Sequence, residues 1–531
     1  MNKKTILILI LISAISIFIN LYKKDTSPPC FNVDEAAVGY NVYSLLKTGK
    51  DEYGTLLPLR LKSFGDYKLP LYSYLSVPFI ASFGLNEFGT RALNTFVSFL
   101  FPLVIFLLTS ELFKKKSIGL IAALFFALSP AIQTIGRQAH EAYLTTFIIT
   151  LSLWLLIKSI NKSQNLYKFL FIFSLFPLSF GYQFSRLWLG FFFVLIVYFA
   201  ICKKVSVKYL LVYLGIFLLL AIPDIIIKPT RVSNLLFFNN VGLGLQTAEL
   251  RSEGGSRLFY NKATVGIKNY IFGHLIYYSP QFLVSLGDEN RRFNYPGISP
   301  ITFVEYLLLF IGLYYLFKDK QKWRFLLILC LFISPVAASL SWVGSSITRS
   351  LPLIIFINIV CAYGFVRLIN SLPNKLTAKL FLGLIVLIYF AFCFYSWDFY
   401  FNHYPKRATA IRSWQCGNRE MATFVKENYN NYDRFYITKK NSQPYIFLLF
   451  YLNYPPEKYQ KQANLSAPDD FGFGQVENFD KFDFKFHYDQ NLKKAVFIGY
   501  PDDFNGLQLD QNKLKKIKVG PEEVFWIYSN K

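Results

Sequence analysis

The stretch "LFPLVIFLLTSELFKKKSIGLIAALFFAL", residues 100–128, consists of two apolar runs separated by three lysines. An apolar run of about 20 residues is long enough to cross the hydrocarbon core of a bilayer as a helix. Lysines in a short loop between two such runs favour the cytoplasmic side of the membrane. The stretch therefore predicts two membrane helices joined by a cytoplasmic loop.

Comparable apolar runs recur along the whole chain. Of its 531 residues, 53% are hydrophobic and only 17% are charged, which is more apolar than is usual for a soluble protein of this size. The runs predict about eleven spans, at residues 5–22, 92–113, 117–135, 142–157, 169–185, 187–202, 208–227, 301–317, 324–341, 350–369 and 379–397. No small-residue cleavage site follows the first run, which favours an uncleaved first helix. The sequence thus predicts a mainly helical, multi-pass protein of the plasma membrane.

The formal net charge of +24 sorts by loop rather than forming one basic surface. Basic residues cluster in every second short loop, at 114–116, 158–168, 202–208, 318–324 and 375–379. This bias predicts a cytoplasmic N-terminus and places the long segments 23–91, 228–300 and 398–531 outside the cytoplasm. The positive charge is therefore interpreted as a topology signal, and no nucleic-acid partner is expected.

A change in composition after residue 397 predicts a second domain. Residues 398–531 are richer in polar and aromatic residues; "DRFYIT", "KAVFIGY" and "EEVFWIY" have the pattern of short strands, and "NREMATFVKENY" that of a helix. We therefore expect a membrane domain over 1–397, including the outer loops 23–91 and 228–300, and a small extracytoplasmic α/β domain over 398–531.

The six cysteines stand singly, without the paired spacing of zinc or redox sites. Only Cys30 and Cys416 are predicted to lie clearly outside the cytoplasm, where a disulfide between them is one possibility. The sequence also lacks a Walker motif and a GxGxxG motif. No nucleotide, dinucleotide or other cofactor is therefore expected.

Two adjacent acids occur in "CFNVDEAAVGYNVYSLLKTG", residues 30–49, on the first outer loop. The pattern predicts a short amphipathic helix against the membrane surface, with Asp34 as its N-cap and Gly49 near its C-terminus. Capping alone would explain Asp34. An ionised carboxylate just outside the membrane can also accept a proton or hold a cation, so a catalytic role remains the alternative hypothesis.

Isolated cations on the predicted outer loops suggest a bound phosphate. Lys68 lies in "LKSFGDYKLPLYSYLSVP", next to Asp66 and Tyr67, and is either an interfacial lysine or a phosphate ligand. The short outer loops contribute one arginine each, namely Arg137, Arg186 and Arg349. Arginine suits phosphate because its planar fork bonds two oxygens at once. These arginines are predicted to bind a lipid-linked phosphate, to pair with Asp34, Glu35 and Glu141, or to do both.

Several motifs together resemble a known family. The motifs are the acid pair, "GDYKLPLY", "GRQAHEAY", "YYSPQFLVSLGDENRRF" and "TRSLP". Their order along the chain and their predicted side of the membrane resemble those of the bacterial protein O-mannosyltransferase and lipid A aminoarabinose transferase group. The resemblance implies a GT-C fold and an enzyme that uses polyprenyl-phosphate sugars. It implies that Asp34 is the catalytic acid residue with Glu35 beside it, that Lys68 contacts the donor phosphate, and that Glu141 is the second acid. Further candidate substrate contacts are Asp66, Tyr67, His140, Asp288, Arg291 and Arg292.

The predicted function is therefore an inverting transfer of sugar from a polyprenyl-phosphate donor to an extracytoplasmic glycan, lipid or protein acceptor. One base suffices for this reaction, since the phosphate leaving group is already anionic. A flippase or transporter of lipid-linked saccharides is the alternative function, and acids within the spans, such as Asp224 or Glu305, would favour it. A metal-dependent variant, with a divalent cation held by Asp34, Glu35, His140 and Glu141, is a further alternative.

Overall fold

The structure, a computed structural model, describes residues 2–162, 164–226, 236–294, 298–342, 344–373, 375–440, 443–467, 474 and 476–530. It divides into two compact units. The first comprises Met1–Tyr22 and Asn94–Tyr400, and the second comprises Lys23–Leu93 and Phe401–Lys531. The predicted boundary after residue 397 lies close to the observed one. The loop 23–91, which we expected in the membrane domain, instead forms a compact unit with the C-terminal region.

Each predicted span coincides with a helix or a pair of helices. Their bounds are Lys3–Leu21, Glu87–Phe113, Lys116–Leu128 with Pro130–Gly136, Glu141–Lys162, Asn165–Ser179, Ser185–Ile201, Val207–Ile226, Phe303–Lys318, Arg324–Ile333 with Val336–Ser339, Leu351–Ser371 and Leu376–Asp398. Apolar length alone predicted these helices, because a backbone in lipid must satisfy its hydrogen bonds internally.

Length separates these helices into two groups. Within the described residues, five helices are long and apolar enough to cross a membrane, or six if the pair Lys116–Leu128 and Pro130–Gly136, bent by 62°, is one span. Other apolar helices in the described part of the chain are shorter, for example Asn165–Ser179 and Ser185–Ile201. At 1.5 Å per residue, a helix of about 15 residues falls short of a hydrocarbon core about 30 Å thick. The predicted number of eleven spans therefore stays a prediction.

The segment 228–300 of the first unit, which was predicted as an outer loop, contains short helices in its described part. A 3₁₀ turn at Phe237–Asn239 leads into the helices Val241–Ser252 and Lys262–Leu275. The turn Ile276–Tyr278 and the π-helix Gln281–Leu286 follow. Residues 227–235 and 295–297 of this region lie outside the described residues.

The second unit has the predicted α/β architecture. A hairpin of β1 (Leu61–Ser63) and β2 (Asp66–Lys68) stands apart from a mixed sheet. The described strands of that sheet are β3 Arg434–Ile437, β4 Asn464–Leu465, β5 Val476–Phe479, β6 Phe482–Asp483, β7 Ala495–Gly499, β8 Leu514–Val519 and β9 Glu522–Asn530, and their order is β4-β5-β6-β3-β7-β9-β8. Helices are Val33–Thr48, Leu71–Phe83, Ala408–Ser413, Asn418–Asn428, Pro444–Tyr451 and Pro456–Gln462. The three predicted strands and the predicted helix near residue 420 are confirmed.

The helix Val33–Thr48 is a core element of this unit. Its Ala36, Ala37 and Tyr40 are fully buried and belong to the same apolar cluster as Phe447 and Phe450. The prediction of an amphipathic helix lying on the membrane surface is therefore wrong, since nearly every face of the helix is packed. Its C-terminus at Gly49, with φ of 68°, is as predicted, because glycine adopts the left-handed conformation without steric cost.

A disulfide joins the two chain segments of the second unit. Cys30, just before the helix Val33–Thr48, is bonded to Cys416, just before the helix Asn418–Asn428. The disulfide between Cys30 and Cys416, which was predicted as one possibility from the sequence, is thus confirmed. The link holds the start of the acid-bearing helix to the C-terminal region.

Candidate active site

Asp34 lies in the first turn of the helix Val33–Thr48, but it is not the N-cap. The side-chain oxygen of Asn32 accepts hydrogen bonds from the backbone N–H groups of Asp34 (2.9 Å) and Glu35 (3.1 Å). Glu35 Oε2 in turn accepts from the backbone N–H of Asn32 at 3.4 Å, which completes a capping box. The prediction that Asp34 caps the helix is wrong, and its carboxylate is not needed for that purpose.

Glu35 forms a buried ion pair with Arg91. Arg91 donates from Nε to Oε1 and from Nη2 to Oε2 of the carboxylate, both at 2.7 Å, and both side chains are only 2% exposed. Arg91 also donates to the carbonyl oxygen of Cys30 at 3.1 Å and stacks over the ring of Phe31. This placement does not support the predicted catalytic role of Glu35, because both of its oxygens are engaged away from solvent.

Asp34 pairs instead with Lys68. Lys68 Nζ lies 3.1 Å from Asp34 Oδ1, with 22% of the lysine and 50% of the aspartate side chain exposed. The lysine ends strand β2, and its ammonium also lies over the ring of Phe64 at 5.1 Å. The hairpin therefore brings together the two residues that the sequence predicted as base and phosphate ligand. Tyr67 lies beside Lys68 on β2, partly buried, while the side chain of Asp66 lies outside the described residues.

Glu52 is a further carboxyl group near this pair, and it was not singled out in the sequence. Glu52 is 1% exposed, and its Oε1 accepts a hydrogen bond from the hydroxyl of Tyr445 at 3.3 Å. Burial raises the pKa of Glu52 to about 8, with a further rise from Asp51 and an opposing effect from Lys68. The adjacent acids in "KDEYG", residues 50–54, were the available signal. Glu52 thus places a titratable group within electrostatic range of Lys68.

The stability of the protein is expected to depend on the charge state of Glu52. The pKa of Glu52 in the folded protein lies above the ordinary value of 4.5, so folding favours its protonated form. Its contribution to the free energy of unfolding is therefore fully present below pH 4.5 and is lost as the pH rises through about 8. We expect the apparent melting temperature of Glu52→Gln, which keeps the acceptor for Tyr445, to fall less than that of the wild type as the pH rises from about 5 to about 8.

Thermal unfolding in detergent, followed by tryptophan fluorescence, measures this difference. The control is Glu457→Gln, which changes an exposed glutamate of the same unit and should leave the pH dependence as in the wild type. Equal pH dependence in Glu52→Gln and the wild type would show that Glu52 does not titrate in this range.

In the first unit, His140 and Glu141 start the helix Glu141–Lys162. His140 Nδ1 accepts a hydrogen bond from the backbone N–H of Ala142 at 3.2 Å, so this ring nitrogen acts as a helix cap. Glu141 Oε2 lies 3.9 Å from the same nitrogen, and 18% of the Glu141 side chain is exposed. His140 is therefore placed as a packed polar residue, and Glu141 keeps limited access to solvent.

Tyr182 connects several predicted residues of the first unit. Tyr182 is partly buried, and its hydroxyl lies within electrostatic range of both Arg349 and Glu141. The ring of His140 also lies 5.3 Å from that of Tyr182. Sequence reasoning did not single out Tyr182, although "GYQFSR" places it four residues before Arg186. Tyr182 therefore has His140 and Glu141 on one part of the chain and Arg349, far later in the sequence, as its neighbours.

Asp288 lies near Arg349 and is held in place by backbone hydrogen bonds. Its Oδ1 and Oδ2 accept backbone hydrogen bonds from Asn290 (2.7 Å) and Ile347 (2.6 Å). Burial raises the pKa of Asp288 to about 6, although these bonds and the charge of Arg349 favour its ionised form. Asp288 thus fixes the segment before Arg349, whose Nη1 donates to Ser341 Oγ at 2.8 Å.

The other predicted arginines have different environments. Arg137 is fully buried and donates to the carbonyl oxygens of Asn20 (2.8 Å) and Tyr22 (2.7 Å), at the end of the first helix. Its predicted place at the phosphate is not supported, because its guanidinium satisfies helix C-terminal carbonyls. Three arginines are partly buried, namely Arg186 bonded to Gln183, Arg292 stacked on Phe293, and Arg291.

Two observations bear on the alternative hypotheses. Glu305 is buried in a capping box, with its Oε2 accepting from the backbone N–H of Thr302 at 2.7 Å, so a helix cap explains this acid within a predicted span. The side chain of Asp224 lies outside the described residues. Among the described residues, no group of three or more His, Cys, Asp and Glu side chains is arranged to hold a metal ion.

Comparison with known proteins agrees with this fold. Residues 9–228 match the family model described as dolichyl-phosphate-mannose-protein mannosyltransferase. The match spans the N-terminal part of the chain. A comparison with curated protein sequences gives no significant match. The predicted resemblance to the protein O-mannosyltransferase group is confirmed by this match.

Solved structures similar to this chain have the GT-C fold. ArnT from Cupriavidus metallidurans in the apo state is 11% identical, with a TM-score of 0.55 over 98% of this chain and 97% of that chain. The same protein bound to undecaprenyl phosphate is 10% identical, with a TM-score of 0.54 over 99% and 98%.

The oligosaccharyltransferase AglB from Archaeoglobus fulgidus, in complex with an inhibitory peptide and a dolichol-phosphate, is 12% identical, with a TM-score of 0.52. The match covers 84% of this chain but only 63% of the archaeal chain. At these identities the similarity establishes the fold. The predicted mainly helical GT-C fold with a C-terminal sheet region is confirmed.

Proposed function

We propose that this protein transfers a sugar from a polyprenyl-phosphate carrier to an extracytoplasmic acceptor hydroxyl, with inversion at the anomeric carbon. The observation that carries the proposal is the ion pair of Asp34 and Lys68, in which a half-exposed carboxylate lies 3.1 Å from an ammonium. The family model over residues 9–228 supports a mannosyltransferase-like reaction. The undecaprenyl phosphate and dolichol-phosphate bound to structures of the same fold support a lipid-linked donor.

In this reaction Asp34 is the base. The acceptor oxygen attacks the anomeric carbon, the Asp34 carboxylate takes its proton, and the bond between the anomeric carbon and the phosphate oxygen breaks. The leaving polyprenyl phosphate keeps the electron pair, so negative charge grows on the phosphate. An ammonium has three N–H donors, so the bond from Lys68 to Asp34 is compatible with bonds to phosphate oxygens.

Arg349 is the second cation that we propose for the donor phosphate. It lies near the partly buried Tyr182, and Asp288 fixes the segment that precedes it. Arg186 remains a candidate phosphate ligand, and Arg291 and Arg292 remain candidate substrate contacts; each of the three is partly buried in the first unit. Glu141 is proposed to accept a hydrogen bond from a sugar hydroxyl, since it keeps some exposure beside His140. Membrane lipid is the expected surrounding medium, and the acceptor is a glycan, lipid or protein.

Donor binding is expected to depend on Lys68. Lys68→Ala should weaken binding of a polyprenyl-phosphate sugar about tenfold or more with little effect on the acceptor, because a phosphate loses its point charge. Lys68→Arg should restore part of the affinity, since it keeps the charge and changes the geometry. The apparent affinity for the lipid donor, measured by titration in detergent, checks this.

The matched control is Lys62→Ala, which removes a lysine from the other strand of the same hairpin. Lys62→Ala should bind the donor as the wild type does. Equal weakening by Lys62→Ala and Lys68→Ala would assign the effect to overall charge, and unchanged affinity in Lys68→Ala would remove Lys68 from the phosphate site.

The proposed orientation has the N-terminus in the cytoplasm and the second unit outside. The loop lysines carry this proposal, together with the Cys30–Cys416 disulfide, because disulfides persist mainly in oxidising compartments. A fluorescent reporter that matures only in the cytoplasm, fused after Lys531, is expected to remain dark, while the same reporter fused before Met1 should be bright. Bright C-terminal fusions would reverse the orientation and remove Asp34 from the outer face.

A further inference from the structure

A cavity of about 410 Å³ lies in the first unit, apart from the residues discussed above as acid or phosphate ligands. The helices Val241–Ser252 and Lys262–Leu275 line one side. Glu289 lines another, together with Ala338, Ser339, Ser341, Trp342, Gly344 and Ser345. Its volume is within the usual range for sites that bind small molecules. Most of its wall comes from the predicted outer segment 228–300, where an extracytoplasmic ligand would enter.

The polar groups of the cavity suit a neutral ligand with many hydroxyl groups. Asn269 Nδ2 donates to Gln246 Oε1 at 3.0 Å, so two side-chain amides from adjacent helices form one pair in the wall. Amides both donate and accept, as sugar hydroxyls do. The lining also contains Asn240, Ser341 and Ser345, and none of the described lining residues is Lys or Arg. A phosphate ligand would require such cations.

Aromatic rings complete the lining. Tyr270, Tyr277 and Trp342 border the cavity, and Trp342 is 46% exposed. A sugar ring has an apolar C–H face and a hydroxyl-bearing edge, so it can pack on an aromatic ring while its hydroxyls meet polar side chains. The combination of amides, one carboxylate and aromatic rings therefore matches a sugar better than a lipid tail.

The carboxylate of Glu289 is positioned by the neighbouring segment. Its Oε1 accepts from the backbone N–H of Ser345 at 3.3 Å, and its own backbone N–H donates to the carbonyl of Ser345 at 3.3 Å. A Cβ atom on Gly344 would lie 2.0 Å from Glu289 Oε2, so a larger residue at this position would displace the carboxylate from its place beside Ser345. A carboxylate held in this way can accept hydrogen bonds from two adjacent sugar hydroxyls.

The cavity adjoins a cation of the proposed reaction. Ser341, which lines the cavity, accepts a hydrogen bond from Arg349 Nη1 at 2.8 Å. We propose that this cavity binds a neutral sugar ring, which belongs either to the lipid-linked donor or to an acceptor glycan. The inference rests on the proposed function, because that function places a phosphate near Arg349 and a sugar next to the phosphate.

Binding of simple glycosides to the full-length protein in detergent tests this inference. The probes are methyl glycosides of mannose, glucose, galactose and N-acetylglucosamine, followed by saturation-transfer NMR. We expect at least one to bind the wild type, and its signal to fall about fivefold or more in Asn269→Leu and in Gly344→Ala, as for loss of a hydrogen bond. Gln281→Leu, which changes an exposed amide outside the cavity, should bind as the wild type does.

The inference is overturned if none of the four glycosides binds the wild type, or if both cavity variants bind them as well as the wild type while remaining folded. Transfer kinetics identify the source of the sugar. A raised KM for the polyprenyl-phosphate sugar in Asn269→Leu indicates the donor, and a raised KM for the acceptor indicates a glycan acceptor. Glycoside binding without any sugar transfer would support the cavity assignment and contradict the proposed function.

Discussion

Asp34→Asn is expected to lower the turnover of sugar transfer by about a hundredfold or more, while binding of the lipid donor is retained. The substitution keeps the size of the side chain and removes its ability to take a proton. It should not unfold the helix Val33–Thr48, because Asn32 and not Asp34 provides the cap. Initial rates of transfer at saturating donor, together with donor titrations, measure the two effects separately.

Two controls make this result specific to Asp34. Asp25→Asn changes an exposed aspartate of the same unit and should leave turnover unchanged. Asp34→Glu should recover part of the activity, since it restores a carboxylate at a shifted position. Turnover of Asp34→Asn close to that of the wild type would exclude Asp34 as the base.

Arg91→Leu is expected to cause the largest loss of stability. It leaves the carboxylate of Glu35 buried without its partner, and removal of one member of a buried ion pair costs about 3–5 kcal/mol. For a unit of this size the apparent melting temperature should fall by about 10 °C. Thermal unfolding in detergent measures this change.

The control for Arg91 is an exposed ion pair of the same unit. Arg412, 72% exposed, pairs with Glu522 at 2.8 Å, and Arg412→Leu should cost about 1 kcal/mol or less. The double variant Arg91→Leu/Glu35→Leu should recover most of the loss, because no buried charge remains. A single variant as stable as the wild type would show that Glu35 can be solvated or protonated at no cost.

The sequence was informative where one physical requirement dominates. Each predicted span coincides with a helix, because a backbone in lipid must satisfy its own hydrogen bonds. Apolar runs do not reveal which of these helices cross the bilayer completely, since several are shorter than about 20 residues. Short runs rich in β-branched and aromatic residues likewise located the strands at 434, 495 and 522.

The details of the candidate site depend on three-dimensional contacts that residue type does not reveal. Asn32 and Asp34 are both good N-caps, and only the backbone position shows that Asn32 has this role. Arg137 was expected at a lipid headgroup, but a buried arginine that caps carbonyls and an exposed one have the same pattern in sequence. Glu52 and Arg91 were missed because their significance comes from burial beside residues far along the chain.

The central claim is that a polyprenyl-phosphate sugar is the donor and that Asp34 activates the acceptor. The most direct measurement incubates the purified protein with a panel of polyprenyl-phosphate sugars and candidate acceptors, and follows the release of polyprenyl phosphate. We predict release with at least one donor, strictly dependent on acceptor and lost in Asp34→Asn. Transfer from a soluble nucleotide sugar without any polyprenyl phosphate, or equal release by the wild type and Asp34→Asn, would contradict the account.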